Sequence, residues 1–302
     1  MKTPVVLIIF NRPNTTEKIF EAVRQAKPSK LFVIADGFRA DRPDEAEKCA
    51  ATRQIIDRVD WECEVLKDYS DVNMGCKLRV ISGLDWVFNA VEEAIILEDD
   101  CLPDPSFFRF CEKLLEKYRD DKRIMMISGT NILGEWKSDI QDYHFAYYGS
   151  IWGWASWRRA WNYYDINMEL WAKSEVKQRV KDTICDKKQY LDRQKLWDAT
   201  YSGMIDTWDY GWSFVRIAQS GLTVIPSGNL VRNIGFSDEA THTRTDNKGL
   251  GNLPVFQMSF PLREPFCVAV DREYDRLRHK KMVVNSLGKR IFWKIKRLIN
   301  GQ

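Results

Sequence analysis

Three consecutive carboxylates follow a short apolar run in this sequence. The run covers residues 94–97, and the acids are Glu98, Asp99 and Asp100. A short apolar run bounded by turn residues is typical of a strand buried on both faces. The carboxyl ends of such strands are where open α/β sheets bind ligands. Because adjacent carboxylates repel one another, the pattern predicts a hard divalent cation that also holds a phosphate-bearing substrate.

An alternative is that these acids are a solvated strand end whose carboxylates cap the next helix. Asp104 stands directly before Pro105, which is the arrangement of an N-cap followed by proline in the first turn. This interpretation accounts for Asp104. It leaves the three acids directly behind a buried strand unexplained, so the metal-binding hypothesis is favoured.

Polar residues also follow two other apolar runs. Asn11 and Arg12 come after the first run, and Asp36 comes after the second. A guanidinium can bind phosphate or stack on a base, and a carboxylate can accept a hydrogen bond from a ribose hydroxyl or a base N–H. A lone arginine after a strand is ordinarily a surface residue, but three polar strand ends in one crevice favour a nucleotide site. Lys77, in the turn before a predicted helix, is a further candidate contact.

The elements that position these residues alternate between two periodicities. Continuous apolar runs predict strands, and apolar residues at helical spacing predict helices. The further strands are predicted at 4–10, 31–35, 63–66 and 123–128, and the helices at 14–27, 41–57, 78–91 and 105–118. This alternation predicts an α/β fold with a mostly parallel sheet that is flanked by helices.

Several common nucleotide and catalytic motifs are missing from the sequence. It has no GxGxxG turn, no P-loop lysine motif and no nucleophile elbow. A net charge of +3 is too small to indicate a nucleic-acid partner. The seven cysteines form no CxxC pair, which fits reduced thiols in a cytoplasmic protein. The first residues do not form a secretory leader or a membrane span, so a cytoplasmic location is expected.

The acidic segment resembles a known enzyme superfamily. Residues 96–108, ILEDDCLPDPSFF, are similar to the DxD region of GT-A-fold glycosyltransferases, and most similar to the N-acetylglucosaminyltransferase I family. In that family the same triplet runs into a proline and a Phe-Phe helix. Residues 147–154, YYGSIWGW, resemble its glycine-rich acceptor-side segment, and residues 207–212, TWDYGW, resemble the aromatic-flanked acid that serves as catalytic base.

The resemblance implies roles for individual residues. Asp100 would be the direct ligand of Mn²⁺ or Mg²⁺, and Glu98 and Asp99 would contact the ribose and sugar of a UDP-sugar donor. Arg12 and Asp36 match positions that contact the nucleotide. The family has Trp-Asp-Asp-Trp where this chain has Trp-Asp-Tyr, so the base is assigned to Asp209 with Asp206 in reserve.

The resemblance also implies a division of the chain. Residues 1–270 would form a GT-A-like catalytic domain, with the nucleotide-sugar half at about 1–130 and a smaller acceptor half at about 131–270. Residues 271–302 would form a separate basic tail. The acceptor would be a glycan or a lipid-linked sugar, and the oligomeric state is left open.

Other residues of the second half allow two interpretations each. Asp209 lies between aromatic residues, where desolvation would raise its pKa and improve it as a base, but it is also placed to cap a helix. Trp152, Trp154 and Trp157 could form a platform for an acceptor sugar or belong to the core. His242 lies in a polar loop that could close over a diphosphate, or it is simply solvated.

The tail of the chain is basic and amphipathic. No acid follows Asp275, and helical spacing is shown by a stripe of apolar residues, namely Leu287, Ile291, Phe292, Ile295, Leu298 and Ile299. Such a helix suits the surface of an anionic membrane, so peripheral contact with the inner face of a membrane is one hypothesis. A helix that packs on the domain and shows its lysines to water is the other.

Three functions are therefore compatible with the sequence. The favoured one is a metal-dependent, inverting glycosyltransferase that uses a UDP-sugar. A nucleotidyltransferase on a similar sheet is the alternative, although such enzymes usually carry a glycine-rich basic loop where this chain has Phe10, Asn11 and Arg12. A carbohydrate-binding protein without turnover is the third, and the acidic triplet with a candidate base argues against it.

Overall fold

A computed structural model describes residues 1–236 and 249–283 of the chain. These residues form an α/β fold with a large central sheet and helices on both of its faces. The strands are β1 (Val5–Ile9), β2 (Lys30–Ala35), β3 (Glu64–Tyr69), β4 (Glu93–Glu98), β5 (Cys101–Pro103), β6 (Ile124–Ser128), β7 (Tyr143–Ala146), β8 (Trp154–Trp157), β9 (Leu222–Pro226) and β10 (Val231–Asn233). The predicted fold class is confirmed.

Helices connect most of these strands. They are α1 (Pro13–Ala26), α2 (Glu45–Ile55), α3 (Gly75–Ala90), α4 (Ser106–Lys117), α5 (Arg158–Trp161), α6 (Ser174–Ile184), α7 (Lys187–Tyr201) and α8 (Asp209–Ala218), with short 3-10 turns at Ile56–Arg58 and Glu169–Ala172. A further helix covers residues 272–283, and we call it the C-terminal helix.

Within the described residues the main sheet has eight strands in the order β3-β2-β1-β4-β8-β6-β9-β7. The pairs formed by β1 with β2, β2 with β3, β1 with β4 and β6 with β9 are parallel. Strand β8 lies antiparallel between β4 and β6. The chain thus inserts a strand from its second half beside the acidic strand, which joins the two predicted halves into one sheet.

The sheet is buried because its strands are apolar on both faces. Val5 and Leu7 of β1 pack into one core cluster and Val6 packs into the cluster on the opposite face, as the two-residue period of a strand requires. Helices α1 and α4 cover the first face with residues such as Phe20 and Phe108. Helices α3 and α8 cover the second face.

The predicted element boundaries differ from the observed ones where polar residues make tertiary contacts. The third strand was predicted at 63–66 but extends from Glu64 to Tyr69 by parallel pairing with β2. The helix predicted at 41–57 begins at Glu45, whose buried carboxylate binds Arg39 in the preceding turn. In both cases pairing partners distant from the local pattern set the boundary.

Most tryptophans of the second half form core. Trp154, Trp161, Trp208 and Trp212 pack together behind the sheet, and the rings of Trp154 and Trp208 stack with centroids 5.6 Å apart. Trp157 is also buried. The core interpretation is therefore confirmed for Trp154 and Trp157, and only the half-buried Trp152 keeps a surface that an acceptor could reach.

The C-terminal helix packs on the domain in its described part. Tyr274 is fully buried, and Arg278 donates to the carbonyl of Gly149 at 3.0 Å. The first turns of the segment that the sequence assigned to the tail thus contact the acceptor half. The amphipathic stripe from Leu287 onward lies outside the described residues. In the part of the chain that the structure describes, no helix is long and apolar enough to cross a membrane.

Candidate functional site

The acidic triplet lies at the carboxyl end of β4, and the tight connection to β5 holds it there. Asp100 accepts a hydrogen bond from the amide nitrogen of Asn233 at 3.3 Å, and its carbonyl accepts one from the N–H of Ile234 at 2.8 Å. Gly235 lies so close that an added Cβ would collide with the Asp100 carboxylate. Strand β10 therefore holds the end of the triplet at close range.

Arg12 links the end of β1 to the end of β4. Its Nη1 lies 2.8 Å from Oδ2 of Asp100 and 3.3 Å from Oδ1 of Asp99. The N–H of Phe10 donates to Oδ2 of Asp99 at 3.1 Å. Parallel pairing of β1 with β4 brings these groups together, because the carboxyl ends of neighbouring parallel strands meet at one edge. The predicted convergence of Arg12 with the triplet is observed.

Burial and mutual repulsion shift the protonation of this group. Burial raises the pKa of Asp99 to about 7, against the opposing effect of Arg12 and with a further increase from Asp100. Burial also raises the pKa of Glu98 well above its ordinary value, and the carboxylates of Asp100, Asp99 and Asp209 raise it further. Ionisation of all three carboxylates beside one guanidinium is therefore costly, and a bound cation would favour the ionised forms.

Glu98 is the least satisfied member of the triplet. Its Oε1 is buried and has no hydrogen-bond partner within residues 1–236 and 249–283. Buried polar atoms in native proteins are nearly always paired with protein, water or ligand. An unpaired carboxylate oxygen at a strand end thus indicates a place for a donor from a bound molecule.

The donor set fits a divalent cation that is shared with a diphosphate. Mg²⁺ is commonly held by one or two carboxylates together with substrate phosphates, so a full cage of protein ligands is not required. No group of three or more His, Cys, Asp or Glu side chains within residues 1–236 and 249–283 is arranged to hold a metal by itself. Asp100 would be the ligand, and Arg12 would share its carboxylate with the cation.

Asp36 is engaged by the protein itself. Its carboxylate accepts hydrogen bonds from the backbone N–H groups of Gly37, Met74 and Gly75 at 2.9, 2.8 and 3.0 Å, and from the amide of Asn73 at 3.1 Å. It thereby holds the N-terminus of α3 against β2. Four donors use the acceptor capacity of a carboxylate, so a direct contact of Asp36 with a nucleotide stays a prediction.

The first turn of α3 connects the triplet with the predicted base. The carboxylates of Glu98, Asp209 and Asp206 all act on the pKa of the Cys76 thiol, which burial raises to about 12. A Cβ added to Gly75, whose φ is +79°, would lie 3.3 Å from the Asp206 carboxylate. The start of α8 therefore lies beside the strand ends, as the interpretation of Asp209 requires.

Asp209 and Asp206 differ in their surroundings. Asp209 is half-buried at the first residue of α8, and the hydroxyl of Thr207 donates to its Oδ1. Burial raises the pKa of Asp209, and Thr207 opposes that increase. Asp206 is exposed. A carboxylate with a raised pKa is the better proton acceptor, which favours Asp209, although its helix-capping role is also compatible with this position.

Asn11, Lys77 and His242 are the remaining predicted site residues. Asn11 and Lys77 are half-buried, and neither makes a hydrogen bond or an ion pair in the part of the chain that the structure describes. Their side chains are therefore free to contact a ligand. His242 lies outside the described residues.

The site also contains residues that were not predicted from the sequence. Asn233 at the end of β10 donates to Asp100, Gly235 lies against the same carboxylate two residues later, and Thr207 donates to the predicted base. Arg193 of α7 acts electrostatically on Asp209. A glycine two residues after an asparagine at a strand end was the one available signal. Arg193 stands in a polar helix pattern that offers no signal.

Comparison with known proteins identifies no family. No family model matches the chain, and no curated protein matches it. A solved 4-diphosphocytidyl-2C-methyl-D-erythritol synthase from Anaerococcus prevotii is 12% identical with a TM-score of 0.33, over 57% of this chain and 78% of that one. A UDP-glucose pyrophosphorylase complexed with UDP-glucose is 10% identical with a TM-score of 0.38, over 78% and 94%.

A mannose-1-phosphate geranyltransferase from Thermus thermophilus is 10% identical with a TM-score of 0.36, over 78% of this chain and 76% of its own. These matches do not show membership of the N-acetylglucosaminyltransferase I family. Likeness at these identities and TM-scores assigns no activity, so the function is argued from the chemistry of the site alone.

Proposed function

We propose that this protein is a metal-dependent, inverting glycosyltransferase that moves a sugar from a UDP-sugar to an acceptor hydroxyl. The observation that carries the proposal is the placement of Asp209 beside the acidic strand end formed by Glu98, Asp99 and Asp100. One group of carboxylates suits a cation and diphosphate, and a separate carboxylate with a raised pKa suits a proton acceptor.

The proposed reaction balances as a single displacement. The acceptor oxygen attacks C1 of the donor sugar, and the bond from C1 to the diphosphate oxygen breaks on the opposite face. Asp209 takes the proton of the attacking hydroxyl, and UDP leaves with the electron pair of the broken bond. A cation bound at Asp100 would neutralise the diphosphate and so stabilise the leaving group. Arg12 and Glu98 would orient the donor.

A second candidate is nucleotidyl transfer to a sugar phosphate. Two of the solved structures named above carry the names of a pyrophosphorylase and of a diphosphocytidyl-methylerythritol synthase, but TM-scores below 0.4 give this no weight. The difference lies in the nucleophile. A phosphate is already ionised and needs no base, whereas a neutral hydroxyl does. A half-buried carboxylate with a raised pKa at the position of Asp209 therefore favours glycosyl transfer.

Binding of UDP to the Asp100→Ala variant tests the donor half of the proposal. Calorimetry with Mn²⁺ present should detect UDP binding to the wild-type chain and none to the variant, with unchanged far-UV circular dichroism. Asp206→Ala is the matched control, because it removes an exposed aspartate near the same site. Equal metal-dependent affinity in wild type and Asp100→Ala contradicts the assignment.

Product analysis separates the two candidate reactions. Incubation with UDP-sugars and a panel of acceptors should release UDP, and incubation with UTP and sugar 1-phosphates should release no pyrophosphate. Release of pyrophosphate with formation of a UDP-sugar would show nucleotidyl transfer instead. Binding of UDP-sugar without release of either product, across the panel, would favour the non-catalytic alternative.

The tail is proposed to attach the enzyme to an anionic membrane. Five basic residues and no acid follow Ser286, and each basic residue near such a surface contributes about 1 kcal/mol. A lipid-linked acceptor would explain this location. Co-sedimentation with anionic vesicles should fall when the chain is ended at Ser286, and equal pelleting of both chains would show that the tail is not the anchor.

A further inference from the structure

Three arginine side chains lie together in the acceptor half without a carboxylate partner. We call Arg193 of α7, Arg216 of α8 and Arg278 of the C-terminal helix the arginine cluster. None of them forms an ion pair within residues 1–236 and 249–283. Arg193 and Arg278 both lower the pKa of Arg216, and Arg193 also lowers the pKa of Arg278. All three contact the adjacent residues Tyr147 and Tyr148.

Tyr148 lies at the centre of the arginine cluster. The guanidinium carbon of Arg193 is 4.6 Å from the centroid of its ring, and that of Arg278 is 5.7 Å away. Arg216 donates through Nη1 to the carbonyl of Tyr147 at 3.3 Å and to Thr223. Elements that are far apart in the chain thus bring three positive charges to two adjacent residues of the predicted acceptor segment, Tyr147 and Tyr148.

Two of the arginines are buried with unused donors. Arg216 is 2% exposed and Arg278 is 6% exposed. The Nε of Arg216 and both Nε and Nη1 of Arg278 are buried atoms without a hydrogen-bond partner, as is the hydroxyl of Tyr148. An unpaired buried charge is expensive, and burial of like charges together increases that cost.

The carboxylate of Asp275 contacts this region, but it already has hydrogen-bond and ion-pair partners. Asp275 pairs with Arg272 at 3.2 Å and accepts the backbone N–H groups of Tyr147 and Tyr148 at 3.3 and 3.2 Å. Burial lowers the pKa of Arg278 to about 10 and of Arg216 to about 9, with a further decrease from the neighbouring guanidiniums. The arginine cluster therefore keeps an excess of positive charge.

The arginine cluster also reaches the candidate base. Arg193 is half-buried and acts electrostatically on Asp209 and Tyr210. An anion bound at Arg193 would thus lie on the same side of the molecule as the attacking hydroxyl.

We infer that the arginine cluster is a binding site for an oxyanion carried by the acceptor, a phosphate or a carboxylate close to the hydroxyl that is glycosylated. Guanidiniums bind both groups through paired, charge-assisted hydrogen bonds. The naming of the anion-bearing molecule as the acceptor rests on the proposed function. The anion site itself rests on the unpaired donors.

Titration of the full chain with inorganic phosphate, in the presence of saturating UDP and Mg²⁺, tests this inference. Wild type should bind phosphate while UDP is bound, and Arg193→Gln should weaken phosphate binding by about 10- to 100-fold, the scale of a lost charge-assisted hydrogen bond. The side chain of Arg193 makes no hydrogen bond within residues 1–236 and 249–283, so its replacement should preserve the fold. The variant Arg193→Lys keeps the positive charge and should retain part of the affinity.

Lys195→Gln is the matched control, because it removes a positive charge from the same helix at a side chain that is 71% exposed. It should leave phosphate affinity unchanged. Parallel titration with acetate distinguishes the two oxyanions: tighter phosphate binding indicates a phosphorylated acceptor, and tighter acetate binding indicates an acidic sugar.

Equal phosphate affinity in wild type and Arg193→Gln, or absence of binding of both anions, overturns the inference. So does competition between phosphate and UDP, since it would place the phosphate at the donor diphosphate. If UDP fails to bind in a metal-dependent way but phosphate binding still depends on Arg193, the proposed function fails while the oxyanion site stands.

Discussion

The acidic strand end and the arginine cluster both interact electrostatically with Asp209. The first is rich in carboxylates and the second in guanidiniums. At the strand end, three carboxylates face one guanidinium, that of Arg12. In the arginine cluster, three guanidiniums face one carboxylate, that of Asp275, which is already paired. Burial makes each imbalance costly in the free protein, because unpaired charges lose their hydration.

The difference between the two regions indicates what each one binds. A surplus of carboxylate oxygens is neutralised by a hard cation, and a surplus of planar N–H donors is neutralised by an oxyanion. In the proposed reaction Asp209 would lie between a site for a metal-bound diphosphate and a site for an anionic acceptor. Substitutions that alter one of the two regions at a time test this difference.

The largest effect is expected at Asp209 itself. Asp209→Asn should reduce turnover by a factor on the order of 10² to 10⁴, the scale of a lost general base, while UDP binding stays nearly intact. Steady-state kinetics and calorimetry on the same preparation measure both quantities. Normal turnover in Asp209→Asn with loss in Asp206→Asn would move the base to Asp206, and normal turnover in both would exclude this helix start.

Removal of the Arg12 guanidinium at the strand end should make the repulsion between the carboxylates measurable. Arg12→Met leaves Asp99 and Asp100 without their ion pair, and the loss of one partner of a buried pair costs about 3–5 kcal/mol in the free energy of unfolding. Mg²⁺ should restore more thermal stability to this variant than it adds to wild type. Chemical denaturation with and without Mg²⁺ measures both effects.

The control for Arg12→Met is Arg24→Met, whose ion pair with Asp60 is half-exposed on both sides. Solvent screens this pair, so the variant should unfold like wild type and should show no special response to Mg²⁺. An equal response of both variants to Mg²⁺ would contradict a specific cation site at Asp100.

A smaller effect is expected from the close approach of β10. Gly235→Ala would force a Cβ against the Asp100 carboxylate. Overpacking of this kind costs about 1–3 kcal/mol, and here it should also displace Asp100 and weaken metal-dependent UDP binding. Gly203→Ala is a control for added side-chain bulk alone, because no atom lies within 4 Å of the added Cβ, although its φ of +76° adds local strain.

The smallest effect is expected in the pH dependence of turnover. Asp209 must be ionised to accept a proton, and burial raises its pKa, so kcat/KM should fall with decreasing pH at values above about 4, the ordinary range of aspartate. Asp206→Asn should leave this acid limb in place. A profile that stays flat down to pH 4 would contradict a buried base.

The pattern of apolar runs predicted the sheet because strands buried on both faces must be continuously apolar. The run at 94–97 became β4, and the acids after it lie at the ligand-binding edge, as the fold class requires. Arg12 was predicted to lie near them since β1 and β4 were both expected in a parallel sheet. These conclusions needed only local pattern and the geometry of parallel strands.

Contacts between distant segments decided the rest. The partner of Asp100 on β10 lies 133 residues away, and the arginine cluster unites α7, α8 and the C-terminal helix. The hydrogen bonds that Asp36 accepts from the start of α3 also depend on this folding, and its contact with a nucleotide stays a prediction.

The sequence by itself determined which residues form the sheet and where its acids lie, because hydrophobic periodicity and strand direction are local properties. Only the tertiary structure decided which charges are paired and which are left over. Arg193 and Arg272 are the same residue type, and the sequence does not distinguish them. In the structure Arg272 forms an ion pair with Asp275, whereas Arg193 has no ion pair in the described part of the chain. Charge pairing depends on distances between side chains, and folding alone sets those distances.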